Sequence, residues 1–199
     1  MSRANAGALV ESKVSSVAGT KKHKTGRAAL IGAALALSLC CPAAAGEVTT
    51  ADLQAAMRAL GFLTTLQNRP SIVVAVVYHD ADSKLQATHV AAMLMRQGGP
   101  GSATVAASIM AAQDLAQSAQ HVDALYLLSL PPEAGRSVGD YVKRQSVVSI
   151  SADPACLDMQ ACVLMVQARS NMTIILDTAL AQAAGAKFSA VFTMLVKRR

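Results

Sequence analysis

The chain has 199 residues, 18 basic and 12 acidic side chains and a formal net charge of +6. Six bases and one acid precede Gly46, so the rest carries twelve bases against eleven acids, net +1. That balance excludes a domain-wide basic face for nucleic acid, because only Lys143-Arg144 and Lys197-Arg198-Arg199 remain clustered. Aromatics make up 3% and hydrophobic residues 53% of the chain, which predicts a tight, aliphatic core.

Met1–Arg27 is polar and basic, Ala28–Cys41 is small and apolar, and Ala43-x-Ala45 obeys the small-residue rule of signal peptidase. This order reads as a secretory signal over 1–45, cleaved near Ala45, with the mature domain over 46–199 in the periplasm. The apolar run is shorter than the ~20 residues of a membrane span, so no span is expected after cleavage. An anchor or a buried helix is the lesser alternative. Leu39 and Cys40 precede the two leader cysteines, Cys40 and Cys41, where lipidation wants a small residue.

Thr49-Thr50-Ala51-Asp52 is a capping-box pattern, and Leu53, Met57 and Leu60 follow at helical spacing, predicting a helix over 51–66 that Asn68-Arg69-Pro70 ends. Ile72–Tyr78 is a continuous β-branched run, the mark of a strand buried on both faces. A polar loop, His79–Ser83, leads to a helix over 84–96, which Gln97–Gly101 breaks. Ala103–Ile109 is a second strand, Gln113–Gln120 has helical composition, and Val122–Ser129 is a third strand. Pro131-Pro132-Glu133 suits the first turn of a helix that runs to about Gln145, and Val147–Ser151 is a fourth strand. Strands alternating with helices predict an α/β fold, one domain with a mostly parallel sheet and helices on both faces. Val163–Ala168 and Met172–Leu176 are too close for a parallel crossover, so they predict a C-terminal antiparallel hairpin. A helix over 178–184 ends at Gly185, and Phe188–Val196 is read as a last helix packed on the sheet.

Cys156 and Cys162 are the even pair left after the leader, and in an exported chain they read as one disulfide. Closing so short a loop restricts the unfolded chain by roughly 2–2.5 kcal/mol in the entropy model. Two buried free thiols are the alternative. A metal site is disfavoured because its nearest partners, Asp153 and Asp158, are hard oxygen ligands. No metal or cofactor is expected.

Gly98-Gly99-Pro100-Gly101-Ser102 looks like a phosphate cradle, but it runs from helix into strand, whereas phosphate loops run from strand into helix. No Gly-x-Ser-x-Gly elbow and no His-x-x-x-His pair occurs. Open parallel sheets bind ligands beyond the carboxyl ends of their strands. There the sequence offers His79, Asp80 and Asp82 after the first strand, Met110 and Gln113 after the second, and Ser129 after the third. These are the candidate ligand-binding residues. Helix capping by Asp and Ser is the favoured alternative. No catalytic residue is assigned, since Asp80 and Asp82 lack surroundings that would separate their pKa values. Asn171-Met172-Thr173 fits a glycosylation sequon.

The run Val148-Ser149-Ile150-Ser151, the cysteine pair, the hairpin, Ile174-Ile175-Leu176, Ala179, Ala183-Ala184-Gly185, Phe188-Ser189 and Met194-Leu195 together resemble the C-terminal half of the YfiR-like periplasmic proteins. Ile175 stands where that family's triplet has Asn, and no Trp precedes Pro70. The resemblance implies a non-enzymatic periplasmic regulator. Its relatives bind the periplasmic sensor domain of an inner-membrane diguanylate cyclase and hold it inactive, which links the envelope to cyclic di-GMP and biofilm formation. The expected partner is such a cyclase or a similar sensor protein, with a homodimer as a further option. The alternative is a periplasmic small-ligand-binding protein resembling one lobe of a transporter substrate-binding protein.

Overall fold

The computed structural model describes residues 47–169 and 171–199. The export signal expected over 1–45, including Cys40 and Cys41, lies outside them, as does Ser170. Among the described residues fourteen elements follow one another: helix α1 (Thr50–Leu60), strand β1 (Ser71–Tyr78), α2 (Ala81–Gln97), β2 (Thr104–Ala111), a 3-10 turn (Ala112–Gln117), β3 (Ala124–Leu127), α3 (Pro132–Gln145), β4 (Val148–Ser151), α4 (Ala155–Asp158), β5 (Leu164–Ala168), β6 (Met172–Leu176), α5 (Thr178–Ala183), α6 (Ala190–Leu195) and β7 (Lys197–Arg198). The strands form one sheet in the order β2-β1-β3-β4-β5-β6-β7. Every neighbouring pair is parallel except β5 and β6, the expected antiparallel hairpin.

Right-handed crossovers set the layers. The β1-α2-β2 unit steps one way from β1, and β3-α3-β4 steps the other, so α2 and α3 cover opposite faces. Helix α1 lies beside α2 and packs on β5, while α3 packs with the 3-10 turn and α5. Ile72, Val74, Ala75, Val76 and Val77 of β1 are fully buried, as a strand with helices on both sides requires. Leu53, Ala56, Met57 and Leu60 form the buried stripe of α1, and each large member contributes roughly 1.5–3 kcal/mol by burial.

The capping box of α1 also reaches the sheet. Asp52 Oδ2 accepts from Thr49 N at 3.0 Å and Thr49 Oγ1 at 2.8 Å, and Oδ1 accepts from the Ala168 amide at 2.7 Å. One carboxylate thus closes the helix start and ties it to the end of β5. Burial pushes the Asp52 carboxyl up, but the hydrogen bonds from Ala168 and Thr49 outweigh this and hold it below the ordinary value. The Tyr126 hydroxyl, buried in β3, has no hydrogen-bond partner among the described residues, and burial together with the Asp52 charge drives its pKa strongly upward.

Cys156 and Cys162 form the expected disulfide, with Cα atoms 5.5 Å apart. The loop they close sits on α3 at Gly135 and Gly139, one helical turn apart, and on β4 through the buried Ser149. That serine donates to Ala161 O at 2.7 Å and accepts from Val163 N at 3.1 Å. Cys156→Ser should lower the melting temperature by roughly 4–10 °C, as expected for a seven-residue loop. It should also expose the loop to proteolysis. An unchanged melting temperature under oxidising conditions would show that the bond adds nothing to stability.

Several boundaries differ from the sequence expectations for tertiary reasons. Helix α1 stops at Leu60 rather than 66, because residues 62–64 pair with a distant segment: Ser189 N donates to Phe62 O and Thr64 N to Lys187 O, each at 2.9 Å, and Leu63 bridges to Phe188. Helix α2 starts at Ala81, which moves Asp82 from the expected loop into its first turn. The segment read as helical over 113–120 is only the six-residue 3-10 turn. The final helix, expected to pack on the sheet, buries Phe192 alone and turns its other large side chains outward. Helix α4 and strand β7 were not legible as elements.

Candidate functional site

Strand β1 lies between β2 and β3, so the chain leaves β1 and β3 toward opposite faces. This is the switch point at which open α/β sheets form a crevice beyond the carboxyl ends of their strands. The register pairs Val77 with Leu127, which places His79 and Ser129 on adjacent strand exits.

Three of the candidates, His79, Asp80 and Ser129, already have polar partners within the chain. Asp80 Oδ1 accepts from Ser83 N at 2.7 Å and Ser83 Oγ at 2.6 Å, and Ser83 Oγ in turn accepts from Asp80 N at 2.9 Å, a complete capping box for α2. These bonds from Ser83, its side chain first, hold the Asp80 carboxyl below its ordinary value. His79 Nε2 lies 2.8 Å from Asp80 Oδ2. Ser129 Oγ donates to Asp153 Oδ2 at 2.7 Å, and Asp153 Oδ1 accepts from Ala155 N at 3.0 Å, so Ser129 braces the start of α4. Asp82 is exposed, Met110 is buried in the core, and Gln113 is exposed on the 3-10 turn. The structure brings His79 and Asp80 together and gives Ser129 a different partner.

Two clefts open away from the strand exits. One of about 610 Å³ lies between the end of α1 and the Gly98–Gly101 loop, lined by Met57, Arg58, Phe62 and Gln97 among others. The loop runs from helix to strand, as expected, so two helix C-termini face this cleft and their carbonyls disfavour an anion. Another, of about 450 Å³, holds an ionic knot at its floor. Asp123, with its side chain 7% exposed, pairs with Arg69, accepts from Val73 N at 2.8 Å and lies 3.4 Å from His121 Nε2. This knot fixes the linker before β1 to the start of β3. Arg69 and Asp123 stand 54 positions apart, and no local pattern marked them. Among the described residues no group of three or more His, Cys, Asp or Glu could hold a metal ion. No helix among them is long and apolar enough to cross a membrane.

Exposed large apolar side chains are scattered singly at Leu85, Met95 and Met172, but three others cluster on α6. Val191, Met194 and Leu195 are 59%, 78% and 77% exposed, and their spacing of three and four residues sets them on one face. Phe192 anchors the helix from the other side. Its ring stacks on Phe62, with centroids 5.0 Å apart, and on Phe188, 5.2 Å apart. Lys187, Lys197 and Arg198 flank the face and are exposed. The triplet was visible in the sequence as part of an apolar run, but a run alone does not tell inward from outward.

No family model matches the chain, and no curated protein does. Among solved structures it is similar to the ligand-free, open structure of a substrate-binding protein with adhesive properties from Clostridium difficile, at 11% identity and a TM-score of 0.50, over 64% of this chain and 54% of that one. It is also similar to a conserved domain protein from Vibrio cholerae O1 biovar El Tor, at 7% identity and a TM-score of 0.53, over 74% of this chain and 60% of that one. A third is an ABC domain in complex with L-Trp from Streptococcus pneumoniae, at 10% identity and a TM-score of 0.51, over 75% and 60%. The chain therefore covers 54–60% of the length of these proteins. At these identities the likeness is one of fold.

Proposed function

We propose that this chain is an exported, non-enzymatic regulatory module of the YfiR-like kind, which binds the periplasmic sensor domain of an inner-membrane signalling protein and restrains cyclic di-GMP synthesis. The observation that carries this reading is the outward face of α6. A helix that spends Val191, Met194 and Leu195 on solvent while anchoring itself through one buried Phe192 is built to be covered by another molecule. Anchors at a spacing of three and four residues are how a helix engages an apolar groove. The disulfide accords with an oxidising compartment. Regulation would follow from preferential affinity for one state of the sensor, since a ligand shifts an equilibrium only by its difference in affinity between states.

The test uses a Met194→Asp, Leu195→Asp double variant in envelope preparations. Co-purification with a membrane signalling protein should weaken at least about tenfold, the size of a hot-spot loss. The melting temperature should stay within about 2 °C, because exposed positions change stability little. If the wild-type protein retained no membrane signalling protein, or the variant bound as well as wild type, this reading would fail.

A small-ligand binder is the second reading. The fold shared with substrate-binding proteins and the strand order, which puts a switch point at β1 and β3, favour it. A rise in melting temperature of several degrees with one compound from a metabolite panel would support it over the regulator.

A further inference from the structure

The two edges of the sheet are protected very differently. Strand β7 ends one side with only two residues, Lys197 and Arg198, a short and charged edge of the kind that resists pairing. Strand β2 ends the other with eight residues, Thr104–Ala111, and carries neither a charge nor a proline. Thr104 N–H donates toward β1, to Pro70 O at 2.9 Å. Because successive residues of a strand point their amides to alternate sides, Val105, Ala107 and Ile109 present N–H and C=O away from β1. Among the described residues no strand pairs with that side.

The sequence of this edge is nearly its own mirror. Around Ala107 it reads Val105, Ala106, Ala107, Ser108, Ile109: a β-branched residue at each end and small residues between. We infer that a second copy of this chain pairs with β2 in antiparallel sense across a two-fold axis at Ala107, which would join the two sheets into one. The pairing sets Val105 against Ile109 of the other copy and Ala106 against Ser108, matching large with large and small with small on each face. It satisfies the outward amides and carbonyls of three residues on each strand, about six hydrogen bonds, and being isologous it closes without further growth. An uncharged strand offers nothing to select a foreign partner by charge, whereas its symmetry selects itself. Helix α2 supplies the flank. It meets α1 through Met93 and Gln97. Met95, 52% exposed, lies two residues from each and so faces the β2 side, where the other copy's α2 would cover it.

The experiment is sedimentation equilibrium on the protein as the cell makes it, with two edge variants. Ala107→Pro deletes an outward N–H while leaving the β1 ladder intact, and Ala106→Lys places a charge on the edge without touching the backbone. Wild type should sediment at twice the mass of one chain, and each variant should raise the dimer dissociation constant at least about tenfold while keeping a cooperative melt. A monomeric wild type would overturn the inference, and so would a dimer that both variants leave unchanged.

Discussion

Replacing Gly139 by alanine should lower the stability of this protein by about 3–4 kcal/mol, a fall in melting temperature of roughly 8–15 °C. The sign is what makes the result informative. In an isolated helix the same change is favourable by about 1 kcal/mol, because alanine is the better helix former. Here a Cβ on Gly139 would overlap the carbonyl oxygen of Gln160, a backbone atom in the loop that the disulfide closes. The loop cannot withdraw, since Ser149 holds Ala161 and Val163 to β4 and the cystine holds both ends. Gly135→Ala is the matched control. Its Cβ would meet Met159, Sδ at 2.5 Å and Cβ at 3.1 Å; the thioether end can swing aside, which leaves the Cβ contact to be relieved by a few tenths of an ångström. It should cost no more than about 1–2 kcal/mol. Thermal melts of the two variants check the expectation, and a Gly139→Ala protein as stable as wild type would mean that α3 and the cystine loop are not in contact.

Asp52→Ala should be nearly as damaging, at about 2–4 kcal/mol. It removes the carboxylate half of the α1 capping box, while Thr49 still caps the helix through its hydroxyl, and it leaves the Ala168 amide without its acceptor; hydrogen bonds to a charged group contribute roughly 1.5–3 kcal/mol. The effect has a pH signature. The folded carboxyl lies below its unfolded value, so its contribution is fully present above the ordinary carboxylate pKa, near 4, and is lost as pH falls through the folded value. Urea unfolding curves at neutral pH and at about pH 3 should therefore converge for wild type and Asp52→Asn as the pH drops. A gap of constant size across that range would place the stabilisation in packing rather than in the charge.

The strand–helix alternation was legible because each parallel strand must be apolar on both faces, and runs such as Ile72–Tyr78 state that directly. The hairpin was legible from its short connection, and the disulfide from two cysteines six positions apart in a chain whose first 45 residues read as an export signal. At the candidate site the sequence indicated which residues would reach the carboxyl ends of the strands, but not what they would do there. Capping by Asp was the favoured alternative for the loop after the first strand, and the structure shows Asp80 capping α2 with Ser83 as its partner. Ser129 was expected beside a crevice and instead braces Asp153, from a loop 24 residues away. The Arg69–Asp123 knot and the turn that ends α1 early depend on partners 54 to more than a hundred positions distant, which no local window contains.

By itself the sequence determined the fold class, since hydrophobic periodicity and connection length are local properties that leave few ways to layer the elements. It also singled out Cys156 and Cys162 as a pair, because no other cysteine lies after residue 45, while free thiols stayed open until the structure placed their Cα atoms 5.5 Å apart in a disulfide. Only the tertiary structure decided which way each apolar residue faces at the margins of the sheet. Phe192 turns inward because Phe62 and Phe188 await it there, and that single anchor rotates Val191, Met194 and Leu195 into solvent. Likewise the uncharged strand β2 became an edge only through the strand order, which follows from the opposite steps of the chain at β1. Orientation and neighbourhood are set by contacts between distant segments, and the two surfaces assigned to partners arise from them.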